Sequence, residues 1–438
     1  MGIIFAMPNL EPVPTADQAQ YQALPSKLEG ITVFGPAPKQ QTLQTPKTYI
    51  CPQCGHTLAY DVNTAGISCA FCGYSSAVNL QKVQAREARF EFTLDVMQQA
   101  QRGWGEQRAT LDCDTCGAEL SFPSGTMAST CPYCSSNKVN LVQAADDRLR
   151  PLVMAGFKLR PADLSGIAAQ WLGRGWMHPK ALGEMALLER FTPFYLPFWS
   201  FSAKVQGPWE AEVAHTVTET YYDSGSKSHR TRTRTEWRRE SGQMQSGVSD
   251  LLVSGVDPKR IRWGVLREIE PFYLSELVHY QADLLAGMNA QAYDYPLPDA
   301  WQQAKGLIRA QAEEAAIAEA SNRNVRNLQI QMDYADENWR YMLLPVYLAS
   351  YRYEDKVYQV AVNGQTGTIG GQKPVDWNKV WLILAALFIP AGLLFLLGLL
   401  LMVTGAGIVF FPLALAALVI AGIVAFKLYN EAVSEEAK

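Results

Sequence analysis

Eight cysteines carry the chemistry this sequence offers. They form four Cys-x-x-Cys pairs: Cys51/Cys54 and Cys69/Cys72, then Cys113/Cys116 and Cys131/Cys134. Fourteen residues separate the two pairs inside each tetrad. A Cys-x-x-Cys pair is a tight knuckle presenting two thiolates to one ion. A hairpin between two knuckles completes a tetrahedral site of four cysteines. The spacer is one residue short of the usual zinc template of about 15–20. Gly55, Gly73 and Gly117 follow three knuckles, where the chain must turn back and glycine takes a positive φ cheaply; Ser135 follows the fourth. The tetrads predict two zinc ribbons, each holding one Zn2+. A rubredoxin-like iron carrier is the alternative, since four thiolates accept either ion. No cysteine is left over, which fits a reducing compartment.

Other chemistry finds little support. Five histidines, His56, His178, His215, His229 and His279, are scattered. No Ser/His/Asp set stands out. Neither Gly364-Gln365-Thr366-Gly367-Thr368 nor Gly225-Ser226-Lys227-Ser228 satisfies G-x-x-x-x-G-K-[ST], so a nucleotide-driven motor has no phosphate cradle. The expectation is a non-enzymatic protein. Zinc ribbons often grip nucleic acid, but residues 47–147 carry seven Lys/Arg against ten Asp/Glu. Two zinc–tetrathiolate centres make the module more negative still, the wrong sign for phosphate contact.

The basic element lies at Ser228–Arg239. At strand period, Arg230, Arg232, Arg234 and Arg238 share one face, interrupted by Glu236, with Arg239 next in sequence. Such a face suits anionic headgroups, at about 1 kcal/mol per basic side chain near the surface. It also supports a rival reading, a membrane-tethered nucleic-acid binder. An edge strand kept from pairing by its charges has the same pattern.

The elements that must position these residues follow from composition and period. Residues 1–46 hold seven prolines among Gln, Thr and Ala and read as a disordered tail, with Ile31–Phe34 its main apolar piece. Zinc ribbon 1 spans 47–80 and zinc ribbon 2 spans 109–145. Between them, 81–108 reads as a helical connector on the spacing of Phe90, Leu94, Met97 and Ala100. An α+β body occupies 146–378. It contains a helix over Pro161–Trp176, an aromatic strand Phe194–Phe201 interrupted by Pro197, and two strands joined at Asp223–Ser226. A helix over Gln302–Ala320 follows, then a hairpin region Ala349–Gly371. Leu343-Leu344-Pro345-Val346-Tyr347 echoes Tyr195-Leu196-Pro197-Phe198-Trp199, suggesting two related strand units.

Residues 379–427 read as a transmembrane hairpin. Val380–Val403 and Ile408–Phe426 lack any charged residue and each can cross a hydrocarbon core of about 30 Å. Lys373 and Lys379 precede the pair and Lys427 follows it, while the connecting turn has no cation. The positive-inside rule therefore places both flanks, the body and the 428–438 tail in the cytoplasm. The fold class is thus multidomain: two small-β zinc ribbons, an α+β body and a two-helix membrane hairpin. Homo-oligomers are compatible with this layout, and so is a pore between subunits, though no charged residue would line it.

The order of these motifs resembles a known group. Tandem ribbons are followed by Gly156-Phe157-Lys158-Leu159, Gly175-Trp176-Met177-His178-Pro179, Tyr195-Leu196-Pro197-Phe198-Trp199, Val362-Asn363-Gly364-Gln365-Thr366-Gly367 and a closing membrane pair. The chain resembles bacterial membrane-anchored proteins with tandem transcription-factor-IIB-type zinc ribbons, often labelled primosomal or helicase-like. The resemblance covers about residues 50–430. It implies an adaptor at the bacterial inner membrane, with SPFH-domain or phage-shock-A-like partners and a role in envelope stress. The helicase label conflicts with the missing P-loop.

Overall fold

A long antiparallel ribbon, Thr192–Asp223 against Ser228–Ser254, is the spine of the protein. The structure, a computed structural model, describes residues 21–24, 33–36, 49–64, 66–80, 82–83, 90–91, 108–115, 118–123, 131, 133, 139–142, 149–184, 191–225, 227–354, 356–404 and 409–437. The chain divides into two compact units, Met1–Pro46 and Lys47–Lys438. In the first, Tyr21–Leu24 pairs antiparallel with Val33–Pro36.

In the second unit, Asp333–Tyr353 lies antiparallel along the first strand of the ribbon, from Thr192↔Leu348 to Gln206↔Asp333. Lys356–Asn363 pairs with its far edge, and Ile369–Gly371 follows. The two echoing motifs are paired with each other, Tyr195↔Pro345, Leu196↔Leu344 and Pro197↔Leu343. Each proline stands one residue beyond the end of the next ladder, which begins at Phe198↔Ser254 on one side and Val346↔Asn363 on the other. A missing N–H costs little there. The first strand therefore runs straight through Pro197 instead of breaking at it.

Alternate residues of this central pair enter different cores. Phe194, Leu196, Phe198, Leu344 and Val346 pack into one cluster; Tyr195, Leu343 and Tyr347 pack into another with the helix Leu164–Leu172. Burial on both faces explains why these strands read as continuous apolar runs rather than alternating ones. Leu297–Glu319 is a helix whose Ala300, Ala304, Ile308, Ala312 and Ala316 are buried. The last three share a cluster with Val205, Trp209 and Met244 of the ribbon. Four-residue spacing puts these small side chains on one stripe, so helix and ribbon approach closely.

The connector differs from its helical expectation where it is described. Phe90–Glu91 is a strand against Asn338 and Trp339, and most of the remaining connector lies outside the described residues. The Asn363–Gly367 turn is a structural latch. Buried Asn363 accepts the Gln365 N–H at 2.8 Å and donates to the carbonyls of Ile269 and Pro271 at 2.9 and 3.1 Å.

Two apolar helices close the chain. Trp377–Leu400, interrupted at Phe388 just before Pro390, and Phe410–Glu436 are long and apolar enough to cross a membrane. Their large side chains face outward: Leu382 is 70% exposed and Leu400 75%. These helices are not the buried hairpin of a soluble core.

Candidate metal centre

In the first tetrad the backbone writes the same knuckle twice. Gly55 donates its N–H to the Cys51 carbonyl at 2.9 Å and Gly73 to that of Cys69 at 3.0 Å. The Cys51 and Cys69 N–H groups donate onward to His56 and Tyr74 carbonyls. Both turns need a positive φ, +75° and +76°, and glycine supplies it. The strands Ala59–Asp61, Gly66–Ser68 and Ser75–Ala77 form the hairpin sheet between and behind the knuckles.

The sulfurs converge. All four Sγ atoms lie within 4.8 Å of one another, with Cys51 to Cys72 at 3.5 Å and Cys54 to Cys69 at 3.6 Å. Tetrahedral ligands about 2.3 Å from zinc would stand about 3.8 Å apart, so the donor set fits such an ion. Its protonation points the same way. The Cys69 thiol is drawn down to about 6, chiefly by the Cys72 N–H and further by that of Phe71, against burial. Cys54 is pushed up to about 12. The His56 N–H lowers it, but burial and the sulfurs of Cys72, Cys69 and Cys51 together raise it more. Cys72 is also raised. One thiolate suppresses its neighbours, and a bound dication would lift that conflict. Cys51 and Cys69 are buried while Cys72 is exposed, and exposed Phe71 stacks on His56 at 4.1 Å. This ribbon joins the body through Tyr60, whose ring is buried in one core cluster with Met154, Tyr195 and Tyr347 and whose N–H donates to the Ala286 carbonyl at 2.7 Å, and through Tyr49 Oη, which donates to Asp283 at 2.9 Å.

The second tetrad is seen in part. Cys113 and Cys131 are described, whereas Cys116 and Cys134 lie outside the described residues. The Cys113 N–H donates to the Ala118 carbonyl at 2.9 Å, repeating the first knuckle's five-residue step. Arg108–Cys113 pairs with Glu119–Pro123 and Val139–Val142. Here Cys113 and Cys131 are core residues. Cys113, Ala118, Cys131 and Tyr133 are buried in the same cluster as Phe194, Leu196 and Leu344. Tyr133 Oη donates to Gln291 Oε1, and Gln359 Nε2 donates to the Tyr133 carbonyl at 2.8 Å. Gln291 is itself fixed by Asp294 at 2.9 Å, and Asp294 pairs with Arg260. Spacing located Tyr133 inside a knuckle; it could not show that Gln291 and Gln359 would hold it.

The arginine strand is not the bare basic face its spacing suggests. Register places Glu219 opposite Arg232, and Glu219 pairs with Arg232 at 3.3 Å and Arg234 at 2.9 Å. Arg238 pairs with Glu236 at 2.8 Å and Arg239 with Glu210 at 2.5 Å. Arg230 is exposed near the turn, opposite Tyr221. The carboxylates come from the partner strand as much as from the arginine strand, so one-strand periodicity could not reveal the neutralisation.

A Ser/His/Glu grouping does occur where the helix Leu297–Glu319 ends. Ser321 Oγ donates to Glu240 Oε1 at 2.5 Å, its N–H to Oε2 at 3.1 Å, and His215 Nε2 meets Glu240 Oε1 at 2.7 Å. Serine and carboxylate converge on the same ring nitrogen, so the histidine does not relay between them. The hydroxyl hydrogen goes to the carboxylate, and the group acts as a clamp between helix and ribbon.

No protein-family model matches the chain, and no solved structure matches it. Among curated proteins it is similar to the uncharacterized protein YdjG of Bacillus subtilis (strain 168). The two are 26% identical over 337 residues, covering 76% of this chain and 92% of that protein.

Proposed function

We propose that this protein is a non-enzymatic, membrane-anchored adaptor. Two zinc ribbons, each with four cysteine ligands, and a β-rich body present protein-binding surfaces at the cytoplasmic face of the bacterial inner membrane. The observation that carries the reading is the exposed apolar helix pair rooted in the body. Trp377 Nε1 donates to Glu436 at 2.7 Å, and Lys356 pairs with the same carboxylate at 3.0 Å. Both ends of the pair thus return to one body, as a hairpin crossing the bilayer twice requires. Lys373, Lys379 and Lys427 beside those ends support a cytoplasmic body. The neutralised ribbon weakens the nucleic-acid reading. The resemblance supplies the partner class: SPFH-domain or phage-shock-A-like proteins in envelope stress.

Affinity capture of the full-length protein from native membranes tests the adaptor role. Cys51→Ser is expected to abolish partner capture while the protein stays in the membrane through a carbonate wash. Undiminished capture, or release by carbonate, would defeat the proposal. Metal analysis separates zinc, colourless at about two ions per chain, from iron with its visible thiolate absorption.

A further inference from the structure

The loop Arg174–Lys180 is built onto the root of the first apolar helix. Lys373 Nζ, itself buried, donates to the carbonyls of Trp171 and Arg174 at 2.6 and 3.1 Å, capping the helix Leu164–Leu172. Asp376 N–H donates to the Met177 carbonyl at 2.7 Å, and Lys379 Nζ to that of His178 at 2.7 Å. His178 Nδ1 meets the Pro374 carbonyl at 2.9 Å. Gly175 turns the loop at φ +101°, where any Cβ would stand 2.6 Å from the His178 ring. The loop is therefore fixed on the helix root, not merely near it.

Its depth can be read from its contacts. Met177 is buried in one apolar cluster with Val380, Leu384 and Ala432. Those residues lie at the level of Trp377, Trp381 and Tyr429, whose rings sit 5.9–6.3 Å apart and form an aromatic girdle at the helix bases. Beside Met177, Trp176 is 42% exposed, and Arg174 and Lys180 are exposed on either side of it. An indole at girdle height, with cations beside it, has the composition of a membrane-interface contact.

We propose that Arg174–Lys180 is a third membrane contact, with Trp176 seated among the headgroups and Arg174 and Lys180 on phosphates of anionic phospholipids. The proposal rests on the reading of the two C-terminal helices as membrane-spanning. With three contacts the body stands on the bilayer in one orientation, and the ribbon and first knuckle are held in fixed directions relative to the surface.

The test uses the full-length protein in vesicles of phosphatidylcholine and phosphatidylglycerol. A photoreactive p-benzoylphenylalanine is placed at position 176, 381 or 222, each exposed, so the fold tolerates the change. Retained metal checks that the variants are folded. Lipid adducts are expected at 176 and 381 and not at 222, on the ribbon tip. Adducts at 381 without any at 176 overturn the third contact and leave the membrane helices standing; adducts at neither site overturn the membrane reading itself. Adducts at all three would show unspecific labelling and overturn the assignment. Arg174→Gln and Lys180→Gln are expected to lower the enrichment of phosphatidylglycerol among the 176 adducts by about fivefold each. Unchanged enrichment in the double variant removes the phosphate contacts.

Discussion

The two cysteine modules share a motif and a backbone step but differ in what surrounds them. In the first, Cys72 and Phe71 face solvent, and the ribbon joins the body through Tyr49 and through Tyr60, which is buried with Met154 and Tyr195, so its sheet is anchored while its cysteine end is not. In the second, Cys113, Cys131 and Tyr133 are part of the body's main core. A knuckle at the rim can fold or unfold with its ion and leave the sheet intact. A knuckle whose Cys113 and Cys131 lie in the core would make a bound ion part of what holds the sheet together. The same cysteine spacing can therefore stand at the edge of a fold or inside its core, and packing decides which.

The sharpest way to break that contrast is to remove one sulfur from each module. Cys113→Ser is expected to destabilise the whole body by about 3–5 kcal/mol, as loss of a structural metal or buried anchor does. At about 2–4 °C per kcal/mol this lowers the melting point in detergent by about 10 °C. Cys51→Ser is expected to leave that transition within about 1 kcal/mol of the unaltered protein, while protease cuts appear between Cys51 and Cys72. Equal melting points for the two variants would erase the distinction.

Metal release should follow the same order with a smaller consequence. A chelator is expected to strip the first site about a hundredfold faster than the second, because the buried site must wait for the core to open. A colorimetric assay would resolve two phases, and a single phase would argue against two environments. Acid acts through the sulfurs. Cys54 and Cys72 are raised, so at neutral pH binding displaces their protons, and affinity at the first site falls by at least about a hundredfold per pH unit on acidification. Below about 6 the Cys69 thiolate is protonated as well, and the dependence steepens. Metal content measured after dialysis at a series of pH values from neutral downwards checks the direction.

Much of this was legible in the sequence, and the limits have physical causes. Cysteine spacing identified the first site because knuckle geometry is local, set within five residues of each pair. The paired motifs at Tyr195 and Leu343 and the helix of spaced alanines were visible as patterns. That the two motifs pair with each other follows only from long-range register. The ion pairing of the arginine face was not legible, because its counter-charges Glu219 and Glu210 sit on the partner strand. The burial of the second knuckle was invisible for the same reason: Gln291 and Gln359, which receive Tyr133, lie 158 and 226 residues away. Partnerships across a sheet leave no local period.

The finest test of the contrast concerns that tyrosine. Tyr133→Phe keeps the ring against Phe194, at 6.3 Å between centroids, and removes only the hydroxyl. Gln291 is fully buried, and its Nε2 is already committed to Asp294, so Oε1 loses its donor in a place water does not reach. An orphaned buried acceptor costs about 1–3 kcal/mol. Gln291→Met alone should cost a similar amount, and adding Tyr133→Phe to it should cost little more, since the acceptor is already gone. That non-additivity, measured as a double-mutant cycle on body unfolding, would show the second knuckle bound to the sheet through this contact. Additive losses would mean that the knuckle is held by apolar packing alone, leaving the cluster of Cys113, Cys131 and Phe194 as its attachment.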